Sequence, residues 1–164
     1  MYKCVKTYIL KQEMRAIIQR VTEASVTVDK ELISKIGKGI CVFIGIEKED
    51  TPDDAKYIKN KILNLRLWTN PETKKPWDKS VKDMNLDVLC VSQFTLHAVV
   101  KGNKLDFHNA MGTSDAQAMY AGILEDLKKE YNPSKIMDGL FSAYMDVQLV
   151  NDGPVTITID SKKR

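Results

Sequence analysis

Ser92 and His97, five positions apart, come nearest in this chain to a nucleophile and its base. A serine hydroxyl attacks well only when a neighbouring imidazole takes its proton. No glycines flank Ser92 in the Gly-x-Ser-x-Gly manner of a nucleophile elbow. If residues 86–96 run extended, positions five apart also point to opposite faces. Thr95 supplies a second hydroxyl and fares no better, since the pattern assigns it no base. The pattern leaves a hydroxyl nucleophile open, next to a plainer reading: Ser92-Gln93-Phe94-Thr95 ends a strand and its polar groups satisfy nearby backbone. His97 and His108 are the only histidines, and their spacing does not suit a tetrahedral zinc site. A lone packed or surface imidazole is the expectation for each. Gly-x-Gly-x-x-Gly, Walker and Cys-x-x-Cys motifs are absent, and no cofactor or metal is expected.

The second place where chemistry could sit is Asn151-Asp152-Gly153-Pro154. Alternating apolar residues flank it: Ala143, Met145, Val147 and Leu149 before, Val155, Ile157 and Ile159 after. Asp-Gly between two such runs predicts a hairpin. Pro154 is out of place in that hairpin, because it stands where the second strand begins and has no N–H for the ladder. An X-Pro bond is the cheapest place for a cis peptide. Gly153, lacking a Cβ, lets backbone approach a ligand closely. A simple turn and a ligand-facing corner both fit.

These residues need elements to hold them. Residues 14–28 alternate as a strand, with Ala24, Val26 and Val28 against Ser25, Thr27 and Asp29. Residues 35–46 carry Gly37 and Gly39 and then Ile40-Cys41-Val42-Phe43-Ile44, a central strand buried on both faces. Thr51 as N-cap, Pro52 in the first turn, and Asp53 and Asp54 near the positive end predict a helix. Its inward face is Ala55, Ile58, Ile62 and Leu65. Leu65-Arg66-Leu67-Trp68 reads as the start of another strand, and residues 69–80 as a loop. Residues 86–96 are a third apolar strand, and Lys101-Gly102-Asn103-Lys104 a polar loop. A second helix starts near Ser114, whose Ser114-Asp115-Ala116-Gln117 has capping-box form, and stops at Asn132-Pro133. The expected fold is α/β (α+β): a compact, β-rich single domain with a mixed sheet and two main helices.

Composition narrows the class. With 164 residues, 43% hydrophobic and 29% charged, the chain suits one globular domain that needs no metal or disulfide to hold it. A net charge of +3 permits contact with nucleic acid without arguing for it. Cys4, Cys41 and Cys90 are odd in number and irregular in spacing, which points to free thiols in a reducing compartment, with Cys41 and Cys90 buried in strands. No apolar stretch reaches the roughly 18 residues of a membrane span. Residues 1–13 mix lysines with apolar residues and lack a signal-peptide core, so they are read as an extension of unassigned role. The main domain is expected over 14–160, followed by a short basic tail at 161–164, in a cytoplasmic protein.

Several segments together resemble the D-aminoacyl-tRNA deacylase family. Met14-Arg15-Ala16-Ile17-Ile18-Gln19-Arg20-Val21 is similar to its opening, Ser92-Gln93-Phe94-Thr95-Leu96 to one signature, and Asn151-Asp152-Gly153-Pro154-Val155-Thr156 to the other. Leu65-Arg66-Leu67-Trp68, Lys101-Gly102-Asn103 and Asp106-Phe107 also match. Leu105 departs from the proline expected there, and the extension before Met14 is a second departure.

The resemblance implies a homodimer whose active sites lie at the interface. Gly153-Pro154 of one subunit would enter, in cis, the pocket of the other and exclude L side chains with its carbonyls, while Arg20 holds the corner. The substrate would be the 3′ adenosine end of an aminoacyl-tRNA carrying a D-amino acid or mischarged glycine. Ser92, Gln93 and the following backbone N–H groups would stabilise the oxyanion, with help from the ribose 2′-OH. Phe94 and Phe141 would wall the adenosine side, and Ala116 the helix side. Thr95 as an acyl-accepting nucleophile ranks second. A relative of relaxed chirality, with a trans corner, is disfavoured by the intact motifs. A DNA-binding role through a long C-terminal tail is not expected, since the chain stops four residues past the last strand.

Overall fold

The computed structural model describes residues 13–163. Cys4 and all of the expected extension except Glu13 lie outside the described residues.

A strand of 14 residues comes first. β1 (Arg15–Val28) turns at Asp29–Lys30, both in the left-handed region with φ of 50° and 67°, into β2 (Glu31–Ile36). β3 (Gly39–Gly45) returns antiparallel to the first half of β1, and β2 pairs with the second half. After α1 (Pro52–Asn64), β4 (Asp87–Ser92) lies parallel to β3. A small hairpin, β5 (Val99–Lys101) and β6 (Lys104–Asp106), precedes α2 (Thr113–Glu130). β7 (Ile136–Asp138) runs parallel to β4, and β8 (Asp146–Asp160) covers the other edge of β1. The order is β2-β1-β3-β4-β7, with β8 on β1. The sheet curls until the Ser34 hydroxyl of β2 donates to the Asp138 carbonyl of β7 at 2.7 Å, so the domain is a nearly closed, barrel-like mixed sheet with two helices.

Alternation sorts the central strands into two cores. Ile40, Val42, Ile44, Val88 and Cys90 meet Ile58, Ile62, Tyr120, Ile123 and Leu127 of the helices. Cys41, Leu89 and Val91 face the barrel interior with Val21, Ala24, Val26 and Ile36. Side chains on both faces of β3 and β4 are therefore buried, as the unbroken apolar runs predict. Cys41 and Cys90 are free and buried, and burial pushes the Cys41 thiol up to about 12 and raises Cys90 as well. Such thiols do not ionise at neutral pH.

α1 starts as expected: the Asp54 carboxylate accepts the Thr51 N–H at 2.9 Å and its hydroxyl at 2.8 Å. The same carboxylate takes a 2.8 Å bond from the Ser161 hydroxyl, and the Ser161 N–H donates to the Met14 carbonyl at 3.0 Å. Ser161 is thus fully buried, and packing extends past β8.

Four expectations are corrected. Residues 143–159 are not a hairpin: β8 is one continuous strand, because β1 offers a ladder along its whole length. The strand over 86–96 ends at Ser92, where the chain tightens into a 3-10 turn at Phe94–His97. α2 does start near Ser114, at Thr113, but the expected capping box does not form: Gly112 is the N-cap and no side chain caps it. Leu65-Arg66-Leu67-Trp68 forms only a single bridge, between Trp68 and Lys79.

Candidate active site

The 3-10 turn after β4 is held in place by β3. The Gln93 N–H donates to the Ile44 carbonyl at 2.8 Å, and Gly45 lies under the turn. A Cβ on Gly45 would stand 2.8 Å from the Leu96 Cβ and 2.9 Å from the Gln93 carbonyl oxygen, so only glycine lets the turn sit this close. The Arg15 guanidinium clamps the far end through the Leu96 carbonyl at 2.9 Å. Leu96 N–H closes back on Gln93 at 3.3 Å, and among the described residues the Phe94 and Thr95 amides have no hydrogen-bond acceptor.

Above the turn opens a cleft of about 510 Å³, a size that suits a small-molecule moiety. Ser92, Gln93 and Phe94 form its floor, Ala116 in the first turn of α2 one side, and Phe107 and Phe141 its aromatic walls. Phe94 and Phe107 meet edge to face at 5.1 Å and 65°. Phe141 packs on Tyr120 at 5.6 Å, and the Tyr120 hydroxyl donates to the Asp138 carboxylate at 2.6 Å. Burial raises both groups of that pair above their ordinary values, so the phenol stays a donor.

The hydroxyls lack a base. Thr95 is exposed, and its Oγ1 accepts from the Gln93 amide. His97 is 2% exposed, and burial holds it below its usual value against the opposing effect of the Gly45 backbone. It is a neutral core imidazole that makes no bond to Ser92 or Thr95. His108 is exposed on the Asp106 carboxylate, beside Phe107. The two histidines do not converge.

The Gly153-Pro154 corner lies elsewhere, and neither it nor Arg20 lines this cleft. Gln19 faces Thr156 and Val21 faces Asn151, so Arg20 alone stands opposite the four residues 152–155. The surplus bulges outward, the Gly153–Pro154 peptide is cis, and both residues are exposed. Gly153 has φ +128°, a region closed to L side chains. The Arg20 Nε donates to the Asp152 carbonyl at 3.1 Å and sits 3.3 Å from its carboxylate.

The sequence-predicted residues therefore fall into two groups. Ser92, Gln93, Phe94, Ala116 and Phe141 are brought together; Gly153, Pro154 and Arg20 form a separate projection; Thr95 stands at the rim of neither wall. Sequence reasoning missed Gly45, Phe107 and Tyr120. Phe107 was visible beside Asp106, but nothing in its local pattern distinguishes a cleft wall from a loop aromatic.

Comparison with known proteins identifies a family for the chain. The profile of the D-Tyr-tRNA(Tyr) deacylase family matches residues 17–160. The chain is 55% identical over 151 residues to the D-aminoacyl-tRNA deacylase of Dictyostelium discoideum, covering 92% of this chain and 100% of that protein. It is 55% identical over 148 residues to human D-aminoacyl-tRNA deacylase 1, covering 90% of this chain and 70% of that one. Among solved structures, the c-Myc DNA unwinding element binding protein superposes with a TM-score of 0.84 at 54% identity, over 88% of this chain and 97% of that one. A probable eukaryotic D-amino acid tRNA deacylase superposes at 0.78 with 19% identity, over 91% and 100%, and supports the fold alone.

Proposed function

The chain belongs to the D-Tyr-tRNA(Tyr) deacylase family, and on that premise we propose that it hydrolyses D-aminoacyl-tRNA and mischarged glycyl-tRNA while sparing L-aminoacyl esters. The observation that carries this reading is the division of the motif residues. A cleft without a paired nucleophile and base stands in one place, and an exposed backbone corner in another.

The terminal adenosine stacks between the aromatic walls of Phe94 and Phe141, with Ala116 keeping the helix side low. Water adds to the ester carbonyl, the ribose C3′ oxygen leaves with a proton, and free amino acid and tRNA result. The ribose 2′-OH assists the proton movement, since an ester held in place already gains much from orientation. The charge on the carbonyl oxygen is met by the free Phe94 and Thr95 amides, with Ser92 and Gln93 lining the pocket. One such donor is typically worth about 2.7–4 kcal/mol. Gln93's own amide is spent on Ile44, so its contribution is its side chain.

The working form is a homodimer in the cytoplasm. The corner that bulges from one protomer enters the partner's cleft, where the Gly153 and Pro154 carbonyls face the α-carbon. Rejection by main chain needs no contact with the D side chain, so many D-amino acids pass and glycine, having no side chain, passes too. The reading is tested with tRNA charged with glycine or a D-amino acid and ending in either adenosine or 2′-deoxyadenosine. Release from the first and strong slowing on the second is the expected result; equal rates remove the 2′-OH from the mechanism.

A further inference from the structure

Arg20 is held from more directions than its corner requires. Besides Asp152, its Nη1 donates to the Leu67 carbonyl, and the indole of Trp77 lies over the guanidinium with Cζ 6.0 Å from the ring centroid. Trp77 is 57% exposed, so little of its ring is sequestered by the core. Its backbone sits at φ 53°, in the left-handed region that a bulky residue enters only where the surroundings enforce it.

The enforcement is visible in the loop. The Asp78 N–H donates to the Trp68 carbonyl at 2.9 Å, and the Asp78 carboxylate accepts from the Asn70 amide at 2.9 Å and pairs with Lys75 at 3.1 Å. The Lys79 N–H bonds the same Trp68 carbonyl at 3.0 Å. Residues 67–79 are thereby tied into a platform that presents one acceptor, the Leu67 carbonyl, and one aromatic face to a single guanidinium. A cation over an indole face is attracted by the ring quadrupole, and a planar guanidinium suits that geometry.

We propose that Trp77 is a positioning residue for chiral selection: it fixes the Arg20 guanidinium, which in turn fixes the Gly153–Pro154 corner. This rests on the reading that the corner is the selective element. A half-exposed ring held by a strained backbone over the residue that grips the corner has no other evident task in packing.

The test compares D-tyrosyl-tRNA and L-tyrosyl-tRNA hydrolysis, as the ratio of kcat/KM values, for the full chain and for Trp77→Ala, Trp77→Leu and Trp77→Phe, each in the native and the Arg20→Lys background. Trp77→Ala and Trp77→Leu lower the D-over-L ratio about three- to fivefold, and Trp77→Phe restores most of it. Because Trp77 is exposed, unfolding midpoints change little, and the Leu and Phe variants carry the comparison if the Ala variant is unstable. In the Arg20→Lys background the loss from Trp77→Ala shrinks, as coupled residues require. An unchanged ratio in every variant overturns the proposal. So does Leu performing as well as Phe, or an equal loss in both backgrounds. A native chain that does not discriminate D from L removes the underlying reading, and the proposal with it, and is told apart by that control.

Discussion

Arg20 and Asp152 meet where one residue of β1 faces four of β8, through an Nε bond of 3.1 Å to the carbonyl and a 3.3 Å approach to the carboxylate. The only residue opposite the bulge is therefore the one that holds it. A strand surplus of this kind re-aims backbone without ending the ladder, so the corner projects while β8 continues to pair on both sides of it.

Arg20→Lys keeps the charge but cannot serve Asp152 and Leu67 with a planar fork. The variant is expected to lose about 1–3 kcal/mol of stability, the scale of charged hydrogen bonds, and to discriminate D from L esters less well than any Trp77 variant. Urea unfolding and paired deacylation assays check both.

Gly45→Ala tests how the turn at Phe94–His97 is seated. The new Cβ meets the Gln93 carbonyl oxygen at 2.9 Å and the Leu96 Cβ at 2.8 Å, so the turn must lift. Turnover on D-aminoacyl-tRNA is expected to fall at least about tenfold, the cost of roughly 1.4 kcal/mol in the barrier, while circular dichroism stays that of a folded domain. Native turnover in this variant removes the seat from the account.

Thr95→Ala separates positioning from covalent catalysis. With Thr95 exposed and bonded to Gln93 rather than to a base, turnover is expected to stay within about tenfold of native, a barrier change near 1.4 kcal/mol. Abolished turnover with substrate still bound makes Thr95 the nucleophile.

Asp50 gives a pH signature. It is 7% exposed, and its carboxylate accepts the Glu47 N–H at 2.6 Å. Burial pushes it up to about 7, with the Asp54 and Glu47 charges adding to the rise against the Glu47 and Met14 backbone hydrogen bonds. The folded state then holds a proton that the unfolded chain has released, so stability falls as pH climbs from the ordinary carboxylate range to about 7 and levels off above it. Asp50→Asn is expected to remove that slope and to gain relative stability at pH 8 over pH 5. The same slope in the variant assigns it to another group.

How much of this was legible follows from the range over which each signal acts. α1 was readable because Thr51, Pro52 and Asp54 act within one turn of each other. β3 and β4 were readable because burial on both faces leaves unbroken apolar runs. β2 was not, since Leu32 and Ile33 point to solvent and blur its alternation. Pro154 marked the corner while Asp152-Gly153 misled about its shape, because only β1, more than a hundred residues earlier, decides that the chain continues rather than reverses. Gly45 and Trp77 carry no local mark at all: each matters through a residue far along the chain, Gln93 for one and Arg20 for the other. The roles of the cleft residues and of the corner came from a resemblance, and the separation of the two groups appears only in three dimensions.

The most direct measurement is the rate at which the purified chain releases tyrosine from D-tyrosyl-tRNA and from L-tyrosyl-tRNA under identical conditions. Rapid release of the D-amino acid is expected, with the L-ester decaying no faster than in buffer. Comparable release of both, or of neither, contradicts the proposed function.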